Sequence, residues 1–240
     1  MGKPIQGEDN SVPDMSVLRH YLLDALMSRR DIQAMHTLAP LSRSFTPWTP
    51  MALRPSGMVV LLNEIVIHDR WQVVELGGGV STLFFARLMR ERGRGHLITI
   101  EHDELWARQL SKFIDQEGLA ERVTIVHAPL APCSSGFGGA SSWYRADVVE
   151  QALIGVQIQL LLVDGPPAHD RATRHARYPA VPVLFRRMSN SGFAIALDDI
   201  GRHGERQILR RWEQEFALHF ERRYLSGSLA LARTDKGYTV

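Results

Sequence analysis

One short stretch of the sequence combines an acidic side chain, bare main chain and two hydroxyl groups. The segment ELGGGVST spans residues 75–82 and directly follows an apolar run. Its glycines permit a tight turn and let a ligand approach the main chain closely, and a helix that begins after them offers free N–H groups. The candidate ligand-binding residues of this loop are Glu75, Gly77, Gly78, Gly79, Ser81 and Thr82.

This loop suits a cationic nucleoside better than a dinucleotide. A pyrophosphate-binding loop has the pattern G-x-G-x-x-G, and here Gly77 and Gly79 fit whereas the third position is Thr82. Glu75 would repel a phosphate and attract an ammonium or sulfonium group. Glu101 ends the next apolar run 24 residues after Gly77, where an acidic side chain accepts hydrogen bonds from ribose hydroxyls. We therefore expect a positively charged ligand with a free ribose.

Three further carboxylates end two later apolar runs. Asp164 ends IQLLLVD, and Asp198 and Asp199 end GFAIALDD. If these runs are neighbouring strands, the three side chains converge at the mouth of the same crevice, where a hard divalent cation such as Mg²⁺ would relieve their repulsion. In the alternative, no metal binds: Asp164 caps a turn and Asp198 pairs with Arg177 or Arg202.

Other residues near these positions could act on a substrate. Histidine has a pKa suited to removing a hydroxyl proton near neutral pH, so His169 and His203 join Asp164 as candidate catalytic residues. Surface or packing roles are the alternative for both histidines. Trp143 and Tyr144 precede the strand that ends at Asp164, and this aromatic pair could cover a sulfonium group, close onto substrate or anchor its loop.

The elements that position these residues alternate along the chain. Short apolar runs separated by longer amphipathic segments predict parallel strands joined by crossover helices. The predicted strands are WQVVEL, HLITI, RVTIVHA, IQLLLVD and GFAIALDD, and the predicted helices are Ser81–Arg92, Glu104–Glu117, Arg171–Met188 and Gly204–Phe216. The tail, from HFERRYL to LALARTDKGYTV, predicts an antiparallel hairpin that ends the sheet.

The N-terminal part of the chain has a different pattern. Helical spacing of Leu22 and Leu26 predicts one helix, and residues 31–38 predict a second. Prolines in LSRSFTPWTPMALRPSG forbid a continuous helix and predict an extended connector, after which MVVLLNEIVIH resumes a helix.

Glycine loop, acidic residues and spacing together resemble the S-adenosylmethionine-dependent methyltransferases with a Rossmann-like fold. The first motif of that family is E/D-x-G-x-G-x-G, and Ser81 stands here in place of the last glycine. Six motifs in order resemble one bacterial small-molecule branch, which shares its layout with cation-dependent O-methyltransferases: ELGGGVSTLFFA, ITIEHDELWA, VHAPL, LLLVDGPP, ARYPAVPVL and LDDIGRHGER. The resemblance covers the chain from about Trp48 to the C-terminal end.

The resemblance implies an α/β fold and two parts of the chain. The fold would be a Rossmann-like, doubly wound, seven-stranded and mostly parallel sheet with a C-terminal antiparallel hairpin and an N-terminal helical extension. Residues 1–56 would form an N-terminal helical and lid segment. Residues 57–240 would form the S-adenosylmethionine-binding methyltransferase domain.

Individual residues receive roles from the same resemblance. Ala128 and Pro129 would contact the adenine edge, and His102 would line the adenine pocket or cap the helix that follows. In the cation-dependent relatives, an aspartate after strand four and an Asp-Asp pair after strand five hold a divalent ion, a pattern that Asp164, Asp198 and Asp199 match. Those relatives also place a lysine base three residues beyond the first aspartate. This chain has Pro167 there.

The implied reaction is transfer of a methyl group from S-adenosylmethionine to an oxygen of a small-molecule metabolite, with a divalent cation as a candidate helper. Aminopropyl transfer, cyclisation of the cofactor, a non-catalytic binding subunit and N-methylation of a macromolecule are alternatives on the same fold. Amino-group enzymes that act on nucleic acids carry D/N-P-P-Y/F after strand four, whereas this chain has DGPPAH.

Composition bears on partners and compartment. The chain has 28 Lys and Arg against 26 Asp and Glu, and the resulting charge of +2 gives no broad field for binding a nucleic acid. Cys133 is the single cysteine, so no intramolecular disulfide forms. Without a signal-peptide pattern or an apolar run of about 18 residues, we expect a soluble, cytoplasmic protein that binds no membrane. The apolar N-terminal helix could mediate a homodimer.

Overall fold

A seven-stranded sheet forms the centre of the protein. The computed structural model describes residues 15–42, 44–137 and 141–234. The strands lie in the order β3 (Val123–His127), β2 (His96–Glu101), β1 (Gln72–Leu76), β6 (Leu160–Val163), β7 (Ala194–Leu197), β9 (Leu229–Arg233) and β8 (Phe220–Arg223). Pairing is parallel from β3 to β7 and antiparallel from β7 through β9 to β8. The predicted mostly parallel, Rossmann-like sheet with its C-terminal hairpin is confirmed.

The central strands are apolar because both faces of the sheet are covered. Every residue of β6 (LLLV) and β7 (AIAL) is buried, as expected of parallel strands between two layers of helices. Glu75 in β1 and Thr99 in β2 interrupt this apolar interior, and both are fully buried. A carboxylate in such a place requires hydrogen-bond donors.

Three of the four predicted crossover helices follow their strands, and a short helix over Ala146–Ala152 was not predicted. The helices are α3 (Val80–Arg92), α4 (Glu104–Gln116), α5 (Ala146–Ala152), α6 (Ala180–Leu184) and α7 (His203–Phe216). Helix α4 begins where the Asp103 carboxylate accepts a hydrogen bond from the Trp106 main-chain N–H at 2.9 Å. Helix α3 ends at Gly93 in the left-handed conformation that favours glycine.

The predicted helix from Arg171 to Met188 is wrong over most of its length. Only α6 is α-helical, and residues 171–179 form consecutive turns. Their main-chain hydrogen bonds join residues three apart, as from Thr173 N–H to the Asp170 carbonyl and from Ala176 N–H to the Thr173 carbonyl. These tighter turns carry Arg177 inward, where polar groups hold it.

The long crossover before β6 contains a small second sheet. Strands β4 (Leu130–Cys133) and β5 (Ser141–Tyr144) pair antiparallel in a stretch for which the sequence predicts only a loop. Short strands of this kind are set by tertiary contacts more than by local pattern. The pair places Trp143 and Tyr144 in the same buried apolar cluster as Val74 and Leu76 of β1.

The N-terminal segment contains one long helix instead of two. Helix α1 (Met15–Leu38) is continuous and is followed by a 3₁₀ turn (Ala39–Leu41), a connector, and α2 (Pro55–Ile67). Tyr21, Leu22 and Leu26 on α1 are exposed, and the homodimer contact expected there remains a prediction. The boundary predicted after residue 56 falls in the first turn of α2 and likewise stays a prediction. Among the described helices, none combines the length and apolarity needed to cross a membrane.

A buried ionic cluster joins α2 to the C-terminal hairpin. Glu64 is fully buried and accepts hydrogen bonds at 2.8 Å from Nε of Arg70 and at 2.8 Å from Nε of Arg233, which lies on β9. Arg70 is itself only 2% exposed. The buried carboxylate of Glu64 and the two guanidinium groups therefore neutralise one another's charge.

We predict that Glu64→Ala lowers the free energy of unfolding by about 3–5 kcal/mol, because it leaves buried guanidinium charge without its carboxylate. Urea unfolding followed by circular dichroism measures the loss. Glu150→Ala, which removes the partner of exposed Arg186, is the matched control and should change stability little. Equal losses in the two variants would contradict the prediction.

Candidate functional site

A cavity of about 300 Å³ lies at the carboxyl ends of the central parallel strands. The chain runs from β1 outward to β3 and then returns to β6 on the other side of β1, so the cavity lies where strand order reverses. Its wall includes Gly77 and Gly78 after β1, Glu101 and His102 at the end of β2, and Asp164 after β6. This is the position at which ligands bind in open α/β sheets.

A smaller cavity of about 130 Å³ adjoins the first one. It lies between the connector, through Pro47 and Thr49, and the start of α3 at Val80 and Ser81. Gly78, Met51, Trp106 and Asp164 line both cavities, so the two spaces form one continuous cleft.

The glycine loop makes main-chain contact with the loop after β6. Gly77 has φ +89°, and a Cβ there would lie 2.9 Å from the Gly165 main-chain nitrogen. A Cβ at Gly78 would lie 2.7 Å from both Leu110 Cδ2 and Thr99 Cγ2. These positions leave no room for a side chain, and they present bare main chain to the cleft.

Glu75 supports the glycine loop from below. Its carboxylate accepts hydrogen bonds from the hydroxyls of Ser81, of Thr82 at 2.5 Å and of Thr99 at 2.9 Å. Desolvation raises the pKa of Glu75 to about 7, and these hydroxyl donors oppose the rise. Glu75, Ser81 and Thr82 are thus brought together, with the carboxylate beneath the loop and bonded to protein hydroxyls. The contact to a cationic ligand that the sequence suggests remains a prediction.

Glu101 is held in one orientation by main-chain donors. Its oxygens accept from the N–H groups of Gly78 at 3.0 Å, His102 at 2.7 Å and Asp103 at 2.8 Å. His102 Nδ1 lies 2.8 Å from the same carboxylate, and this contact raises the pKa of His102. Trp106, which the sequence analysis did not select, donates from its indole N–H to the Gly78 carbonyl at 2.7 Å. In the sequence, Trp106 could be found by its position three residues after Asp103, the residue that caps helix α4.

The two aromatic residues of β5 have different surroundings. Tyr144 lines the cavity, whereas Trp143 is fully buried and packs against Tyr144 with a centroid distance of 5.4 Å. Adjacent residues of a strand point to opposite faces, so Tyr144 faces the cavity and Trp143 does not. Burial raises the pKa of Tyr144 well above its ordinary value, so its hydroxyl stays protonated.

Residues predicted at the adenine edge pack beside the end of β2. Ala128 is buried and donates from its N–H to the Glu101 carbonyl at 2.8 Å. The Pro129 carbonyl accepts a hydrogen bond from the Arg145 N–H at 2.9 Å. Both contacts fix the main chain, and the adenine contact stays a prediction.

The three aspartates after β6 and β7 converge as the sequence indicates. One carboxylate oxygen from each of Asp164, Asp198 and Asp199 lies within 4.8 Å of the others. Desolvation is the main cause that raises the pKa of Asp164 to about 7 and the pKa of Asp198 well above its ordinary range. Neighbouring aspartates add to both shifts.

A buried arginine lies among these aspartates. Arg177 is 3% exposed; its Nη2 is 3.3 Å from Asp164 Oδ1 and its Nη1 is 3.1 Å from Asp199 Oδ2. Arg202 reaches the same Asp199 oxygen at 2.8 Å. The sequence suggests an ion pair between Asp198 and an arginine. In the structure, Arg177 Nη1 contacts Asp198 through the main-chain carbonyl, to which it donates at 3.3 Å.

The donor types suit a divalent cation, but the geometry does not. Three carboxylates match the oxygen ligands that Mg²⁺ prefers. Two of them already face guanidinium nitrogens at hydrogen-bond distance, so an ion among them would lie beside a fixed positive charge.

The candidate histidine bases separate in the structure. His169 lines the cavity and has a side chain that is 56% exposed, 3.7 Å from Asp170. His203 is exposed at the start of α7. Of the two histidines, His169 lies in the wall of the cavity beside Asp164, where a bound hydroxyl could reach it, whereas His203 does not line this cavity.

Comparisons with known proteins agree with this arrangement. A family model described as a methyltransferase domain matches residues 74–200, more than half of the chain. A search of curated proteins finds no match.

Solved structures share the fold at low sequence identity. A methyltransferase from Podospora anserina bound to SAH is 11% identical, with a TM-score of 0.55 over 96% of this chain and 100% of its own. The O-methyltransferase TomG from Streptomyces achromogenes, in complex with SAM, is 18% identical, with a TM-score of 0.51 over 86% and 88%. A methyltransferase from Geobacter sulfurreducens is 14% identical, with a TM-score of 0.53 over 91% and 95%.

The contact between the loops after β1 and β6 predicts unequal effects of alanine in the glycine run. Gly77→Ala should lower the free energy of unfolding by about 1–3 kcal/mol or more, because it forces a left-handed conformation and a clash with main chain. Gly79→Ala is the control, since its φ of −174° is extended and a Cβ would meet nothing within 4 Å. Urea unfolding of both variants tests the difference, and a Gly79→Ala loss as large as that of Gly77→Ala would contradict it.

Proposed function

The chain belongs to the methyltransferase domain family, and from that premise we propose that it transfers a methyl group from S-adenosylmethionine to an oxygen of a small-molecule metabolite. One observation carries the proposal: a cleft at the point where strand order reverses, with bare main chain at Gly77 and Gly78 and an oriented carboxylate at Glu101. The combination suits a nucleoside that carries a positive charge instead of a pyrophosphate.

The larger cavity is the proposed site of the nucleoside half of the cofactor. Glu101 would accept hydrogen bonds from the ribose hydroxyls, since main-chain donors already aim its oxygens and it lines the cavity. His102 and Trp106 form walls beside it. Hydrogen bonds to a charged acceptor contribute roughly 1.5–3 kcal/mol each, enough to orient the nucleoside.

The smaller cavity is the proposed site of the amino-acid half. It faces the first turn of α3, a helix of 13 residues whose N-terminal N–H groups favour a carboxylate. The sulfonium group would then lie between the two cavities, near Gly77 and Asp164. The region near Gly77 and Asp164 is the acidic part of the cleft, because it contains the Asp164 carboxylate and has the Glu75 carboxylate beneath the glycine loop.

The proposed reaction is a direct displacement. An acceptor oxygen attacks the methyl carbon, the carbon–sulfur bond breaks, and its electron pair stays on sulfur, which gives S-adenosylhomocysteine. The hydroxyl proton passes to a base on the cavity wall, for which Asp164 and His169 are the candidates. A pKa of about 7 makes Asp164 suited to accept a proton near neutral pH.

Product analysis tests the proposal against its alternatives. The purified protein is incubated with S-adenosylmethionine and hydroxylated small molecules, and mass spectrometry of the mixture should show an acceptor heavier by one CH₂ together with S-adenosylhomocysteine. Release of methylthioadenosine without a methylated acceptor would instead indicate cyclisation of the cofactor or transfer of its aminocarboxypropyl group, the form that aminopropyl transfer takes with this donor. Methylation confined to added protein or nucleic acid would indicate macromolecular N-methylation.

The ribose assignment predicts that Glu101→Gln weakens binding of S-adenosylhomocysteine about 10- to 100-fold, because one charge-assisted acceptor is lost. Calorimetric titration measures the affinity, with thermal unfolding in parallel to confirm that the variant is folded. Glu104→Gln, three residues along on the exposed side of α4, is the control and should bind like the unmodified protein. Unchanged affinity in Glu101→Gln would remove the assignment.

A further inference from the structure

Arg177 is tied to main chain from two different loops. Its Nη2 donates to the Asp164 carbonyl at 2.6 Å, its Nε to the Pro166 carbonyl at 3.3 Å and its Nη1 to the Asp198 carbonyl at 3.3 Å. The planar guanidinium has several donors in a fixed fork, so three carbonyls define its position independently of any carboxylate. The segment after β6 and the segment after β7 therefore share one cation.

The same guanidinium faces the carboxylates that would have to hold a divalent ion. It lies within 3.3 Å of Asp164 and 3.1 Å of Asp199, and at 3.9 Å from the fully buried Glu205. A divalent ion among the aspartate oxygens would lie beside this positive charge, and like charges repel strongly away from bulk water. Hydrogen bonds to three main-chain carbonyls hold the Arg177 guanidinium in this place.

We propose that Arg177 is the resident cation of the acidic strand ends: it takes the place of a divalent ion between Asp164 and Asp199 and prevents one from binding there. Two consequences rest on the proposed function. Methyl transfer requires no divalent ion, and the acceptor needs no pair of vicinal oxygens for chelation. A small molecule with one isolated hydroxyl then fits the cavity as well as a diol does.

Arg177 also faces the substrate side of the cleft. It lines the cavity together with Asp164, Asp199 and Arg202, and these residues form the wall that would face the methyl acceptor. Arg202, whose side chain is 34% exposed, adds a second positive charge near Asp199. The ion-pair partners of these two guanidinium groups are the carboxylates of Asp164, Asp199 and Glu205.

A cation titration tests the proposal without any methyl donor. Free Mn²⁺ is measured by electron paramagnetic resonance as it is added to the unmodified protein and to Arg177→Gln, Arg177→Met and, as control, Arg186→Met at the exposed pair with Glu150. The unmodified protein and the control should bind no stoichiometric ion. Arg177→Gln and Arg177→Met should each bind one ion per chain, at least about tenfold more tightly than any Mn²⁺ binding that the unmodified protein shows, because the repelling charge is gone. Adding Asp199→Asn to either variant should abolish that binding.

Each opposite result overturns the proposal. Stoichiometric Mn²⁺ binding by the unmodified protein that Asp199→Asn removes would show that an ion binds despite Arg177. Folded Arg177 variants that bind no ion would show that the arginine is not what prevents binding. If neither variant folds, the result with the unmodified protein and Asp199→Asn decides alone. Calorimetry with S-adenosylhomocysteine is run separately, so failure of the cofactor assignment is distinguishable from failure of the cation assignment.

Discussion

Desolvation of carboxylates at the carboxyl ends of the parallel strands is the constraint on which the site depends. Acidic side chains lie at or beside the carboxyl ends of these strands, and Glu75, Glu101 and Asp198 among them are buried. The protein compensates these groups differently: Glu75 by three hydroxyls, Glu101 by three main-chain N–H groups, and Asp164 and Asp199 by a guanidinium. Each set of partners also fixes the orientation of the carboxylate and decides whether it can accept a further hydrogen bond.

These differences divide the cleft into regions of distinct chemistry. Hydroxyls leave Glu75 as a support beneath a loop, because its oxygens are already used by neighbouring side chains. Main-chain donors and His102 orient Glu101, and its Oε2, which accepts from the Gly78 N–H, has a lone pair that can accept from a ligand. Arg177 beside Asp164 instead supplies positive charge. Under the proposed function, the cleft would attract a cationic group near the glycine loop and tolerate an oxyanion developing beyond it.

The sequence predicts those features that follow from strand pattern, and it fails where tertiary contacts decide. Continuous apolar runs predict the parallel strands, and strand ends predict that Asp164, Asp198 and Asp199 converge, because neighbouring parallel strands end at one edge. The helix predicted from Arg171 is wrong because turns held by inward-facing Arg177 replace it. Tyr144 and Trp143 are indistinguishable by composition, and only pairing of β5 with β4 shows which of them lines the cavity.

Under the proposed function, acceptor specificity would depend on how the turn segment before α6 is anchored, because that segment carries Arg177. A Cβ at Gly204 would lie 2.1 Å from the Arg174 carbonyl, so α7 and the turn segment meet with no side chain between them. His175 adds a 2.7 Å contact to Gln207 on α7 and stacks on Phe137 at 4.0 Å between centroids. Through these contacts α7, Phe137 and the turn segment pack against one another behind Arg177, which lines the cavity. Under the proposed function, a shift of this packing would move Arg177 and the acceptor wall with it, whereas the cofactor side, fixed by main chain at Gly77 and Gly165, would stay the same.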